Sequence, residues 1–349
     1  MSSFAGLTMT TPESQGFSAA KLERISETMT TAVAAGEIPG AVTVVARRGE
    51  VVHTHAVGTR NLDQPADTLG MDSLFRMYSQ TKPITAVVTM TLFEEGLLFL
   101  DDPISKWLPE FANPQVVGYP AAKDRVKGTP LALGSTVTAE REITIFDLLT
   151  MTSGLPASGR TPAIYQEATT KAMKGAGFLP GDLLVNDPPG TYEEMVLALA
   201  EAPLHSQPGA TWNYASDFDV LSLLLERATG QPLDELFQER VFGPLQMSDA
   251  CFYCGENATD RLVADHAWDE NGRLIVRDPP ESAEKLGRSN RKLMSGNGLF
   301  GGALCTPPDY ARFAQMLLNG GELDGAQIIG RKTVELLTAN HIGDRRVDL

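Results

Sequence analysis

Cysteine is scarce in this chain. Cys251, Cys254 and Cys305 are all it has in 349 residues, too few for a disulfide framework at this size. Cys251 and Cys254 form a Cys-x-x-Cys pair, for which zinc would require two further ligands. Cys305 and His266 are the nearest candidates in sequence. A redox pair would open a helix after a strand, whereas "DACFYCGEN" reads as a strand running into a turn. The three are therefore read as ordinary thiols. Histidine is also sparse: His53 and His55 share one face of a strand, and His205, His266 and His341 are scattered without ligand spacing. No metal or organic cofactor is expected.

Basic residues are outnumbered, 29 Lys and Arg against 44 Asp and Glu, for a formal charge of −15. That balance leaves no surplus to replace counterions on a phosphate backbone, which argues against nucleic acid as a partner. No apolar run approaches the roughly 20 residues of a membrane span. The N-terminus "MSSFAGLTMTTPESQGFSAAKLERI" has neither a basic start nor an unbroken apolar core. A cytoplasmic protein without membrane contact is expected. Also lacking are a Gly-x-Ser-x-Gly elbow, βαβ alternation, internal repeats and low-complexity tracts.

What is present is the composition of a soluble globular protein, 42% hydrophobic and 21% charged, long enough for two domains or one composite domain. Residues 18–35 read as a helix capped by Ser18, with Leu22, Ile25, Met29 and Val33 on one face. Two β-branched runs then flank Arg48-Gly49-Glu50 as a hairpin. Residues 81–95 form a dense apolar helix in which Pro83 is tolerated because it falls in the first turn. "LDDPISKWLPEF" reads as a loop with a short helix, and residues 112–142 as a long surface excursion. Thr144 and Asp147 have capping-box spacing. Further helices are expected in "YEEMVLALAEA", "DFDVLSLLLERATG", "PLDELFQERVFGPL", "PPDYARFAQMLLNGG" and "TVELLTANH".

The chemistry centres on "FRMYSQTKPITAVVTMTLFEEG", residues 75–96. Ser79 and Lys82 are three apart where an apolar run becomes a helix, and such pairs share a helix face with Cβ atoms roughly 5–6 Å apart. A serine hydroxyl needs a base in contact to act as a nucleophile. An amine can serve if burial or a neighbouring cation lowers its proton affinity, and even protonated it stabilises an adjacent anion. A serine at a helix start also aims N–H groups and the positive dipole end at a developing oxyanion. Four residues of this kind recur by chance, and taken alone they fit a capping serine and a solvated lysine equally well.

"LFRMYSQTKPITAVVTMTLFEEGLLFLDDPISKWLPEF" together with "ITIFDLLTMTSGL" resembles the serine β-lactamase-like superfamily, closest in kind to class C β-lactamase-like esterases (family VIII carboxylesterases) and related acyltransferases. "WNYASDFDVLSLLLERATGQPLDELFQERVFGPLQMSDACF" and "GGALCTPPDYARFAQMLLNGG" extend the resemblance from about residue 19 to 340. It implies that Ser79 is the acyl-accepting nucleophile, Lys82 its partner, and Tyr214 the tyrosine of the second motif. Phenol and ammonium groups side by side favour a shared proton, so Tyr214 can take the Ser79 proton and pass it to a leaving alcohol. Ser216 stands where the lactamases carry a substrate-holding asparagine. A hydroxyl makes fewer hydrogen bonds than an amide, which favours an esterase on short-chain carboxylic esters over a lactamase. The alternatives are β-lactam or peptide amide hydrolysis, acyl transfer, and ligand binding without turnover.

The implied fold is α/β: a central antiparallel sheet flanked by helices, with an inserted helical domain. Residues 1–80 would lead to the nucleophile, 81–290 form the mostly helical domain, and 291–349 return to the sheet. The family's third element, Lys/His-Thr-Gly or Trp-x-Gly on a late strand, is not found before "TANHIGDRRVDL". The expectation is that the last strands are missing from this chain, and that a separate C-terminal segment or a second copy covers the sheet edge.

Overall fold

The computed structural model describes residues 3–4, 6–117, 136–156, 191–253, 259–281, 295–296 and 302–345. In chain order the elements begin with β1 (Ser3–Phe4), β2 (Leu7–Met9), α1 (Ala19–Ala34), β3 (Gly40–Arg47), β4 (Glu50–Gly58), β5 (Phe75–Arg76) and α2 (Thr81–Glu94). There follow β6 (Gln115–Val117), β7 (Thr136–Thr138), α3 (Ile145–Leu149), α4 (Tyr192–Ala200), α5 (Asp217–Thr229) and α6 (Leu233–Phe237). The last are β8 (Asp265–Trp268), β9 (Leu274–Asp278), β10 (Leu304–Cys305), α7 (Pro307–Leu318), the short strands β11 (Glu322–Leu323) and β12 (Ala326–Gln327), and α8 (Arg331–Leu337).

The chain divides into two compact units. The first comprises residues 1–77, 238–290 and 303–335, the second residues 78–237, 291–302 and 336–349. The boundary expected after residue 80 thus falls at Tyr78. The stretch expected to be helical as far as 290 leaves the second unit at Phe237, and described residues beyond that point bond to the N-terminal segments. Leu74 N–H donates to Arg261 O, Val263 N–H donates to Leu74 O, and Arg76 pairs with Asp278 at 2.9 Å.

The first unit is built on a sheet in the order β1-β2-β4-β3. Its long pair β3–β4 is antiparallel, as expected, but β2 runs parallel to β4, so the sheet is mixed. The crossover through α1 allows this, and α1 packs on β3 and β4. Arg48 and Gly49 both take positive φ, 53° and 81°, giving a two-residue turn whose twist matches the flanking strands. Ser18 is the N-cap of α1 without a side-chain capping bond; Ala19 N–H goes to Glu13 Oε1 instead. Cys251 joins Leu304 through the backbone and Cys305 is buried, while Cys254 lies outside the described residues.

The second unit is helical. Around α2 most side chains are buried, including Ile84, Val87, Val88, Met90 and Leu92, and α5 is buried from Asp217 to Leu225. A helix apolar nearly all round belongs inside a layer of other helices, and α2 packs on α5 and α6. Each fully buried Leu or Ile contributes about 1.5–3 kcal/mol of transfer free energy. Thr81, Thr85 and Thr89 interrupt the apolar surface at helical spacing. The Thr89 hydroxyl donates back to the carbonyl four residues earlier, at 2.9 Å, while Thr85 Oγ1 lies 3.2 Å from Thr81 O and gives its proton to a nearer acceptor. "DDPISKWLPEF" forms two 3-10 turns, Ile104–Lys106 and Pro109–Phe111, and a longer helix is prevented by the proline that precedes each turn's first bonded residue or opens it. Thr144–Asp147 and Thr191–Glu194 are both complete capping boxes. Of the excursion 112–142, residues 118–135 lie outside the described residues; the remainder supplies the β6–β7 hairpin.

Candidate active site

The serine is delivered by a change of backbone hand. Phe75 and Arg76 pair with Cys305 and Leu304, and Met77 N–H donates to Ala303 O at 2.8 Å, so the chain is held extended to that point. Tyr78 then takes φ 43°, a left-handed conformation that costs a non-glycine residue on the order of 1 kcal/mol or more. One 3-10 turn, Tyr78–Gln80, leads into α2. Ser79 emerges exposed at the head of the helix, while Lys82, three residues on, is only 7% exposed.

Tyr214 meets both from a distant part of the chain. Its hydroxyl lies 2.5 Å from Ser79 Oγ, and Lys82 Nζ sits 4.8 Å from the centroid of its ring. That cation is within the range of attraction to an aromatic face. Trp212 tilts against the same ring, with centroids 6.4 Å apart.

The position of Tyr214 is set by the segment 150–155. Asn213 N–H donates to Met151 O, Gly209 N–H to Thr152 O and His205 N–H to Gly154 O, at 2.7–3.0 Å. Asn213 Nδ2 adds a bond to Leu155 O. Met151 and Gly154 turn the segment with φ of 55° and 83°. A Cβ on Gly154 would lie 2.3 Å from Ser206 O, so "TMTSG" requires glycine at its last position. His205 Nδ1 also donates to Gly154 O, and burial lowers its pKa despite that bond, leaving a neutral imidazole at pH 7.

Two buried acids flank this segment. Arg141 pairs with Asp147; burial alone would raise the Asp147 pKa, but the bonds from Arg141 and Thr144 bring it below the usual carboxylate value. Asp217 opens α5 three residues after Tyr214, and neither of its oxygens makes a hydrogen bond of normal geometry. Burial pushes its pKa up to about 7, with the facing Ser153 partly opposing the shift. No sequence signal singled out Asp217, since an acid at the start of a helix is ordinarily a solvated complement to the helix dipole.

Ser79, Lys82 and Tyr214 thus converge in one unit. Ser216 is the N-cap of α5: its carbonyl accepts from Asp219 and Val220, and its side chain makes no capping bond. The geometry does not link the Ser216 hydroxyl to the other three by any hydrogen bond. Among the described residues no group of His, Cys, Asp and Glu could hold a metal ion, and no helix is long and apolar enough to cross a membrane.

Residues 25–345 match the family model described as Beta-lactamase. The chain belongs to the beta-lactamase family. Protein Rv1367c of Mycobacterium tuberculosis is 33% identical over 314 residues, 89% of this chain and 70% of that protein. Esterase EstB of Burkholderia gladioli is 37% identical over 223 residues, 62% of this chain and 48% of its own length. Among solved structures, Simvastatin Synthase (LovD) from Aspergillus terreus superposes with a TM-score of 0.69 at 25% identity, covering 91% of this chain and 72% of that one. EstCE1, described as a hydrolase with promiscuous acyltransferase activity, gives the same TM-score at 24% identity over 91% and 76% of the two chains, and shares the fold. The α/β fold of this beta-lactamase-family member is the one expected, and its relatives include proteins named as an esterase and a methylbutanoyltransferase.

Proposed function

We propose that this protein is a serine carboxylesterase that forms an acyl-enzyme at Ser79 on short-chain carboxylic esters. The observation that carries the reading is the 2.5 Å contact between the Ser79 and Tyr214 hydroxyls, with the Lys82 ammonium against the Tyr214 ring. Ser79 Oγ attacks the ester carbonyl carbon while its proton passes to the Tyr214 oxygen. Tyr214 enters the cycle as a phenolate whose own proton has passed to the Lys82 amine, so its oxygen is free to accept the Ser79 proton and the Lys82 ammonium stabilises the negative charge until it does. The tetrahedral oxyanion is stabilised by backbone N–H groups at the head of α2 and by the positive end of that helix dipole. Collapse breaks the ester C–O bond, and Tyr214 returns the proton to the departing alkoxide. Water then repeats the cycle on the acyl-enzyme, releasing the acid and regenerating Ser79.

Acyl transfer to an alcohol differs only in the nucleophile of the second half, and relatives bearing esterase and methylbutanoyltransferase names keep it as the second reading. Ser216 weighs against β-lactams, because its hydroxyl offers less than an amide to a lactam side chain. Intact-protein mass after a fluorophosphonate, with peptide mapping, tests the nucleophile. One adduct on Ser79, lost in Ser79→Ala, is expected; a folded protein without an adduct would overturn the reading. Hydrolysis of p-nitrophenyl acetate, with and without added alcohol, and of a chromogenic cephalosporin separates the three chemistries.

A further inference from the structure

One turn along α2 from Lys82, the interior of the second unit is polar. Thr85, fully buried, donates its hydroxyl to Gly296 O at 2.7 Å. Gly296 N–H donates to the Ser222 hydroxyl at 3.1 Å, and Ser222 donates to Phe218 O on its own helix. The neighbouring Ser295 hydroxyl donates to Asp219 Oδ1 at 2.7 Å. Tyr192, the first residue of α4, donates to Asp219 O at 2.8 Å and lies 3.2 Å from Asp219 Oδ1. Asp219, Ser222, Ser295 and Thr85 all have no measurable solvent exposure. Burial and then the nearby Asp219 charge raise the Tyr192 pKa well above that of a free phenol, so it remains a donor throughout the working range.

Two residues, Ser295 and Gly296, therefore bridge α2 to α5. Their fit is tight: a Cβ on Gly296 would lie 2.3 Å from Ser222 Oγ and 2.7 Å from Thr85 Oγ1. The bridge is anchored one turn beyond Lys82 on α2 and, through Asp219, five residues after Tyr214. Apolar packing tolerates small slips between two helices, whereas directional hydrogen bonds in a dry interior do not, since each broken one leaves an unsatisfied polar group.

We infer that Thr85, Asp219, Ser222 and Ser295 are positioning residues, which hold α2 and α5 in the register that sets Lys82 against the Tyr214 ring and Tyr214 against Ser79. The inference rests on the acyl-enzyme reading above. Thr85→Val keeps the shape of the side chain and removes its hydroxyl, Thr85→Ser keeps the hydroxyl, and Ser295→Ala cuts the other side of the bridge. Each is compared with wild type for kcat and KM on p-nitrophenyl acetate, the pH profile of Ser79 labelling by a fluorophosphonate, and Tm. A displacement of about 1 Å at a reacting group can cost on the order of 10²-fold. Thr85→Val and Ser295→Ala, assayed well below their Tm, are expected to lose about 10- to 100-fold in kcat with KM changed far less. Their labelling profile should also shift in pH, and Thr85→Ser should recover most of the rate. If folded Thr85→Val or Ser295→Ala keeps wild-type kcat and labelling profile, the positioning role is wrong and the acyl-enzyme reading survives. A wild type that neither labels at Ser79 nor hydrolyses the ester overturns both.

Discussion

Ser79 Oγ and Tyr214 Oη are 2.5 Å apart although 135 residues of chain separate them. The hydrogen bond joins the head of one helix to the loop that precedes another, so it is a measure of how well α2 and the 205–216 loop are placed. It is also the easiest contact to remove without disturbing the rest. Tyr214→Phe keeps the ring under the Lys82 ammonium and deletes the hydroxyl. Fluorophosphonate labelling of Ser79 and ester kcat/KM are expected to fall by about 10²–10⁴ with Tm unchanged. Retention of more than a tenth of the rate would mean that Tyr214 does not carry the proton.

Lys82 makes a different demand. Its ammonium is a compact charge on a nearly buried stem, and a guanidinium cannot replace it in the same space. Lys82→Arg is therefore expected to be about as inactive as Lys82→Met, each down by about 10²-fold or more in kcat. Recovery of activity in the arginine variant would show that only the charge, and not its place against the Tyr214 ring, matters.

Asp217 predicts a pH dependence of stability. Its folded pKa is about 7 against an ordinary value of 3.8, so between those values the folded protein holds a proton that the unfolded chain has released. Stability from this group is fully present below about pH 4, falls as pH rises towards 7, and is level above that, a change on the order of 4 kcal/mol. Asp309, raised to about 6 by burial, contributes in the same direction over a narrower window. Asp217→Asn is expected to flatten most of the slope in urea unfolding between pH 5 and 8, and to be more stable than wild type at pH 8. An unchanged slope would mean that the buried carboxyl is already ionised.

Gly154→Ala tests the scaffold under Tyr214. The left-handed φ and the 2.3 Å approach of Ser206 O leave no room for a methyl group. A loss of about 2 kcal/mol or more is expected by chemical denaturation, with ester turnover reduced even where the variant is fully folded. A stable, fully active variant would show that segment 150–155 does not place Tyr214.

Much of this was legible from local pattern. The Thr144–Asp147 box, the turn at Arg48-Gly49 and the course of α2 through Pro83 depend on residues within one turn of each other, and each forms as read. Ser79 and Lys82 gained meaning from their place at the start of α2. What escaped reading depends on partners far apart: Thr85 bonds a carbonyl 211 residues away, and nothing near Asp219 or Ser222 announces Ser295. Tyr78 was invisible for the opposite reason. Local preference points away from the conformation it adopts, and tertiary structure overrules it. Burial likewise turned Asp217 from a helix-start acid into a buried carboxyl, a change that no one-dimensional pattern carries.

Tyr78 has one more consequence. An aromatic residue at φ 43° is rarely sampled by a free chain, so the exposed serine exists only once the strand before it and the helix after it have formed. On the proposed acyl-enzyme reading, reactivity at Ser79 is then a property of the completed fold and not of the peptide. An unfolded chain presents an ordinary hydroxyl, and on that reading a stoichiometric covalent probe of Ser79 would count native molecules in a mixed population, one oxygen per folded copy.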